Sequence, residues 1–119
     1  MSDRSGAFVV RPAELHGDPK RVFFDGDGLV KVFFHTDKLM MAQFELLPGQ
    51  ALTVDIHPNG DEGYYVAQGT ATVLLPDTGE IHEIHTGEIY YIPAGVRHRA
   101  FNQHTEKLLV IASIAPQVK

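Results

Sequence analysis

The chain contains no cysteine among its 119 residues. Disulfides and thiolate metal ligands are therefore excluded, and any metal must be held by His, Asp, Glu or water. Apolar runs such as "LLVIA" (108–112) fall far short of a membrane-spanning length. The opening "MSDRSGAFVVRPAE" lacks the apolar core and cleavage signature of a secretory signal, so a cytoplasmic protein is the default expectation. Positive charge is also scarce: Lys and Arg total 10 against 15 Asp and Glu, a formal net charge of -5. That balance argues against nucleic acid or an anionic membrane as partner. Linkers, low-complexity segments, solenoid repeats and long helical patterns are missing too.

What is present is an ordinary globular composition, 44% hydrophobic and 21% charged, suited to one domain over 1–119 with one core. Short runs rich in Val, Ile, Phe, Tyr and Thr alternate with Gly, Pro, Asp and Asn, the pattern of an all-β sandwich or barrel. Strands are expected at 7–11, 21–24, 29–35, 39–47, 51–57, 62–68, 70–75, 80–85, 88–92, 97–102 and 107–114. One helical turn is expected within "RPAELHG" (11–17), and turns at 47–50, 76–79 and 92–96.

The stretch "DIHPNGDE" (55–62) concentrates imidazole and carboxylate between apolar strands. Side chains on a strand alternate faces with period two. Over 51–57, Asp55 and His57 then share a face with Ala51 and Thr53. Leu52, Val54 and Ile56 share the other face and need a cover of their own. From 62, Glu62 and Tyr64 share a face, so Tyr64 is either pocket lining or a core aromatic. In 97–102, His98 faces away from Arg97 and Arg99, which read as solvated or interface residues. A polar turn accounts for Asn59, Gly60 and Asp61 but not for Asp55 and His57 on one face. His16, His35, His82, His85 and His104 read as surface or satisfied polar residues. Gln43 and Glu45 are left without an assigned face.

Two spacings are specific. "GQALTVDIHPNGDEGYYVAQG" (49–69) and "GEIYYIPAGVRHRAFN" (87–102) match the two signature motifs of the cupin superfamily at every keyed position except one. The first histidine of motif one is Asp55. The sequence thus resembles a small single-domain cupin, and the resemblance implies a double-stranded β-helix, a jelly-roll barrel. By position it implies that His57, Glu62 and His98 hold one divalent transition metal (Fe, Mn, Zn, Ni or Co), with Asp55 in place of the missing histidine. Asp55 is then either a fourth ligand or a group that hydrogen-bonds a ligand or bound water. The resemblance also implies a homodimer, and its motif glycines and proline are structural. The expected function is a metal-dependent enzyme on a small organic substrate, of oxygenase, isomerase, epimerase or lyase type. The alternative is a non-catalytic small-ligand binder or sensor, with or without metal; a storage role ranks last. No residue identifies a dedicated acid or base, and nucleophilic serine or cysteine chemistry has no support in the sequence.

Overall fold

Alternation of small or aliphatic residues with polar ones shapes the strands. In β9 (Leu108–Ala115), Leu108, Val110, Ala112 and Ile114 are buried and the residues between them are not. The structure, a computed structural model, describes residues 5–116. Its other strands are β1 (Val22–Asp25), β2 (Gly28–His35), β3 (Met40–Leu46), β4 (Asp61–Gln68), β5 (Thr70–Leu75), β6 (Glu80–His85), β7 (Ile89–Ile92) and β8 (Arg99–Phe101). They form a six-stranded sheet in the order β1-β2-β3-β9-β4-β7 and a three-stranded sheet β6-β5-β8, with every pairing antiparallel. The two inner faces meet over Phe44, Leu46, Val66, Val73, Ile84 and Val110. This is the expected all-β double-stranded β-helix. The expected helical turn is a single 3-10 turn at Pro12–Glu14.

Two expected strands are absent. Residues 7–11 run exposed and unpaired, with Phe8 packed edge-on against Phe34 at 6.0 Å between ring centroids. Residues 51–57 form only two isolated bridges, Ala51 with Phe101 and Asp55 with His98. From 51 to 55 the chain takes one more step than from 101 to 98, so the segment carries an extra residue, as a β-bulge does. The extra residue breaks the period of two. Leu52 therefore turns into the core at 8% exposure, while Val54 and Ile56 stay out at 47% and 41%. Asp55 is half-buried and His57 is buried. The expected aliphatic face of Leu52, Val54 and Ile56 does not exist. Arg99 serves this bulge, its Nε donating to the Leu52 carbonyl at 2.8 Å.

The β1–β2 hairpin lies across the same segment. The Asp27 amide donates to the Ala51 carbonyl at 3.0 Å, and the Ala51 amide donates to Asp27 Oδ2 at 3.2 Å. Thr53 donates to Asp25 Oδ1 from its hydroxyl at 2.5 Å and from its amide at 3.3 Å. Gly26 permits the approach: its φ is +59°, and a Cβ there would stand 2.7 Å from the Ala51 carbonyl oxygen.

Asn102, the last keyed position of motif two, is a buried clasp. Its Nδ2 donates to the carbonyls of Leu46 (3.0 Å) and Glu106 (2.8 Å), and its Oδ1 accepts the His104 amide at 3.0 Å. Each buried polar group left unpaired costs about 1–3 kcal/mol. Asn102→Ala is therefore expected to destabilise the fold by about 3 kcal/mol, read as a lower urea midpoint at unchanged slope. An unchanged midpoint would remove this role.

Candidate metal centre

Three separate stretches meet at one point. Asp55 and His98 face each other across their bridge, each amide donating to the other's carbonyl at 2.9 and 3.0 Å. A pair that exchanges both hydrogen bonds sets its two side chains side by side. His57 is held by its carbonyl, which accepts the Gly95 amide at 2.9 Å. Glu62 starts the buried row of β4, opposite Ile92 on β7 and Ile114 on β9. An aliphatic pair on each side sets this carboxylate at the polar end of an otherwise apolar row.

Glu62 Oε1 lies 3.2 Å from His57 Nε2 and 3.0 Å from His98 Nε2, and Asp55 Oδ2 lies 3.4 Å from His57 Nε2. The two imidazole centroids are 5.5 Å apart. Ligand-type atoms of Asp55, His57 and His98 all lie within 4.8 Å of one another, a group able to hold a metal ion. His57 Nε2, His57 Nδ1 and Glu62 Oε1 are buried without a hydrogen-bond partner. The Glu62–His57 contact is thus close in distance and misdirected in angle. Buried polar atoms are almost always paired. Two of these atoms, His57 Nε2 and Glu62 Oε1, lie 3.2 Å apart, which fits a shared cation. His98 is already oriented for that role: its Nδ1 lies 2.9 Å from the Val96 carbonyl, which can only accept, so Nε2 is left as the lone-pair nitrogen.

Burial pushes the Glu62 carboxyl up, but the imidazoles of His57 and His98 more than offset this and hold it below the usual range. Burial also opposes a charged His98, yet the Glu62 carboxylate and the Val96 carbonyl raise its pKa above the ordinary value. Tyr64 is fully enclosed, and burial first, then the charges of Glu62 and Asp55, push its phenol well up. It therefore stands as an O–H group near neutral pH. Its ring packs edge-on to Phe44 at 5.3 Å and to His98 at 6.4 Å. Tyr64 is both a core aromatic and a cavity wall.

A cavity of about 130 Å³ opens from this cluster, with Asp55, His57, Glu62, Tyr64 and His98 in its lining. The β1–β2 side contributes Phe23, Asp25 and Val30. Asp25 carried no signal in the sequence, where it falls between the expected strands 21–24 and 29–35. Its approach to Thr53 is a contact 28 residues apart. The other histidines stay outside: His82 packs on Tyr90 at 5.3 Å, His104 contacts Glu83 at 2.6 Å, and His16, His35 and His85 are exposed. Arg97 points outward to Asp77 at 2.6 Å. Asp61 does more than serve its turn, accepting the Ala94 amide at 2.9 Å and the Tyr91 hydroxyl at 2.8 Å. Gln43 and Glu45 are half-buried between the buried residues of β3; Gln43 is part of the cavity lining and Glu45 is not.

A jelly-roll barrel with histidines and carboxylates converging in its interior defines a class, the double-stranded β-helix proteins with an internal polar site. The chain belongs to the cupin domain family, whose model matches residues 42–114. A curated relative, the tetracenomycin polyketide synthase protein TcmJ of Streptomyces glaucescens, is 29% identical over 76 residues, 64% of this chain and 50% of that protein. The chain thus spans about half the length of that relative. A predicted oxalate decarboxylase from Thermotoga maritima superposes with a TM-score of 0.77 at 20% identity, covering 91% of this chain and 98% of that one. The polyketide cyclase RemF from Streptomyces resistomycificus gives 0.75 at 18% identity, covering 93% and 80%. At these identities the two structures speak for the fold. Among the described residues, no helix is long and apolar enough to cross a membrane.

Proposed function

We propose that the chain is a metal-dependent enzyme acting on a small organic substrate, with one divalent transition ion held by His57, Glu62, His98 and Asp55. The observation that carries this reading is Glu62 Oε1, buried without a hydrogen-bond partner between His57 Nε2 at 3.2 Å and His98 Nε2 at 3.0 Å. Two imidazoles with carboxylates suit Fe, Mn, Zn, Ni or Co. Such an ion polarises a carbonyl or activates water. The chain's own residues do the rest. The Val96 carbonyl keeps the His98 tautomer, Phe44 and Tyr64 form a dry wall, and the Tyr64 hydroxyl is available to donate to a substrate oxygen. The polyketide assignment of the 29% identical relative supports a substrate bearing carbonyl or hydroxyl groups on an unsaturated carbon frame.

The test is elemental analysis after purification without chelator or metal-affinity columns, then titration with Fe(II), Mn(II), Zn(II), Ni(II) and Co(II). About one ion per chain is expected. Failure to take up any of the five overturns the metal reading. Loaded protein is then offered small β-diketones and hydroxyaryl ketones, followed by mass spectrometry. Metal binding without conversion of any of them favours the non-catalytic binder.

A homodimer belongs to the same proposal. Its support is the outer face of the large sheet, where Tyr65 pairs with Ile89 and Gly63 with Tyr91. Tyr65, Ile89 and Tyr91 are 45%, 75% and 61% exposed. Closed two-fold dimers are the commonest way to cover such a patch. Light scattering at micromolar concentration is expected to give the mass of two chains, and the mass of one chain would refute it.

A further inference from the structure

The cavity has an unbalanced set of charged side chains. Asp25, Asp55 and Glu62 line it, and among the described residues in its lining there is no lysine or arginine. A divalent ion brings two positive charges against three carboxylates, so the loaded cavity remains net negative. The position of Asp55 sharpens this, because a histidine there would leave the ion's charge less compensated. Asp25 contributes from the β1–β2 hairpin. Its Oδ1 is fixed by the Thr53 hydroxyl and amide, which hold the carboxylate in place without neutralising it. Other walls are apolar, among them Phe23, Val30, Met40, Phe44 and Leu52. Their volume of about 130 Å³ is close to the roughly 150 Å³ of an apolar cavity that accepts benzene.

We propose that this cavity selects its ligand by charge: it takes an uncharged, hydroxyl- or carbonyl-bearing molecule built on a single ring and turns away carboxylates, with Asp25 as the residue that sets this preference. The charge count of the loaded state rests on the proposed metal reading; the preference itself holds without the ion. A carboxylate entering a low-dielectric pocket beside a fixed like charge is repelled far more than in water. An alcohol or ketone of the same shape feels no such penalty, and its oxygen still finds the metal cluster and the Tyr64 hydroxyl.

The experiment compares two probes of one shape, benzyl alcohol and benzoate, by titration calorimetry on ion-free and Zn(II)-loaded protein. Benzoate is expected to bind about tenfold more weakly or worse in ion-free protein, and the zinc-loaded protein shows how far direct coordination of its carboxylate offsets that. Asp25→Asn keeps an oxygen for Thr53 and removes the charge, so it is expected to narrow that ratio several-fold at unchanged zinc content. Asp27→Asn alters a carboxylate of the same hairpin that bonds the Ala51 amide and is not in the cavity lining. It is expected to leave the ratio alone. Equal affinity for the two probes in ion-free protein overturns the proposal. So does a ratio unmoved by Asp25→Asn, moved equally by Asp27→Asn, or no binding by either probe. If zinc does not bind, the metal reading is decided by the titration with the other ions, and the ratio in ion-free protein still decides the charge preference.

Discussion

His98→Ala is expected to lose at least about 100-fold in divalent-metal affinity. Its Nε2 is 3.0 Å from Glu62 Oε1, and its Nδ1 is committed to the Val96 carbonyl, so no neighbouring group can replace it. The bridge between residues 55 and 98 is made by backbone atoms and survives the truncation. A loss of metal without a loss of fold is therefore the expected result, read by competition with a chromogenic chelator and by circular dichroism. His57→Ala is expected to behave alike. Asp55 then separates the two roles open to it. As a ligand, Asp55→Ala approaches the His98→Ala loss, while Asp55→His keeps the metal and shifts preference toward softer ions. As a partner of a ligand or of bound water, Asp55→Ala costs only about 10- to 100-fold. The contact at 3.4 Å to His57 Nε2 and the shared 4.8 Å cluster favour the ligand role. Equal metal content in wild type and His98→Ala would end the metal reading altogether.

The second large effect concerns the fold. Gly69 joins β4 to β5 with φ +83°, and a Cβ there would stand 2.5 Å from the Lys107 carbonyl oxygen and 3.1 Å from Leu108 Cα. Gly79 has nearly the same backbone, φ +77°, with nothing within 4 Å. The pair separates strain from space. Gly79→Ala carries the left-handed penalty alone, about 1–2 kcal/mol. Gly69→Ala adds a collision with backbone that leads into fully buried Leu108, for a total of about 3 kcal/mol or more. Its melting temperature is expected to fall by about 10 °C, and that of Gly79→Ala by about 3–6 °C. Equal losses would show that the Lys107 backbone gives way freely.

Most of the cluster was legible through the resemblance of the two motifs to the cupin signature, which groups Asp55, His57, Glu62 and His98 by position; the structure brings the same four side chains together. The outer strand pattern was legible for the same local reason: β3, β4 and β9 alternate cleanly. What escaped was non-local. The bulge over 51–55 exists only relative to 98–101, so period-two reading placed Leu52 with Val54 when it packs in the core. Asp25 was invisible because a turn aspartate has the same local signature whether it meets solvent or Thr53.

The attachment of the β1–β2 hairpin has an evolutionary consequence. The cluster atoms come from residues 55–62 and 98, whereas another part of the cavity wall comes from 22–30, a contiguous stretch. Asp25 and Asp27 tie that stretch to Thr53 and Ala51, on the segment that carries Asp55, so changes at those two joints couple to the cluster while changes elsewhere in the hairpin do so less. A lineage can therefore revise what enters the barrel through one short segment of chain, provided the two joints at Asp25 and Asp27 are kept.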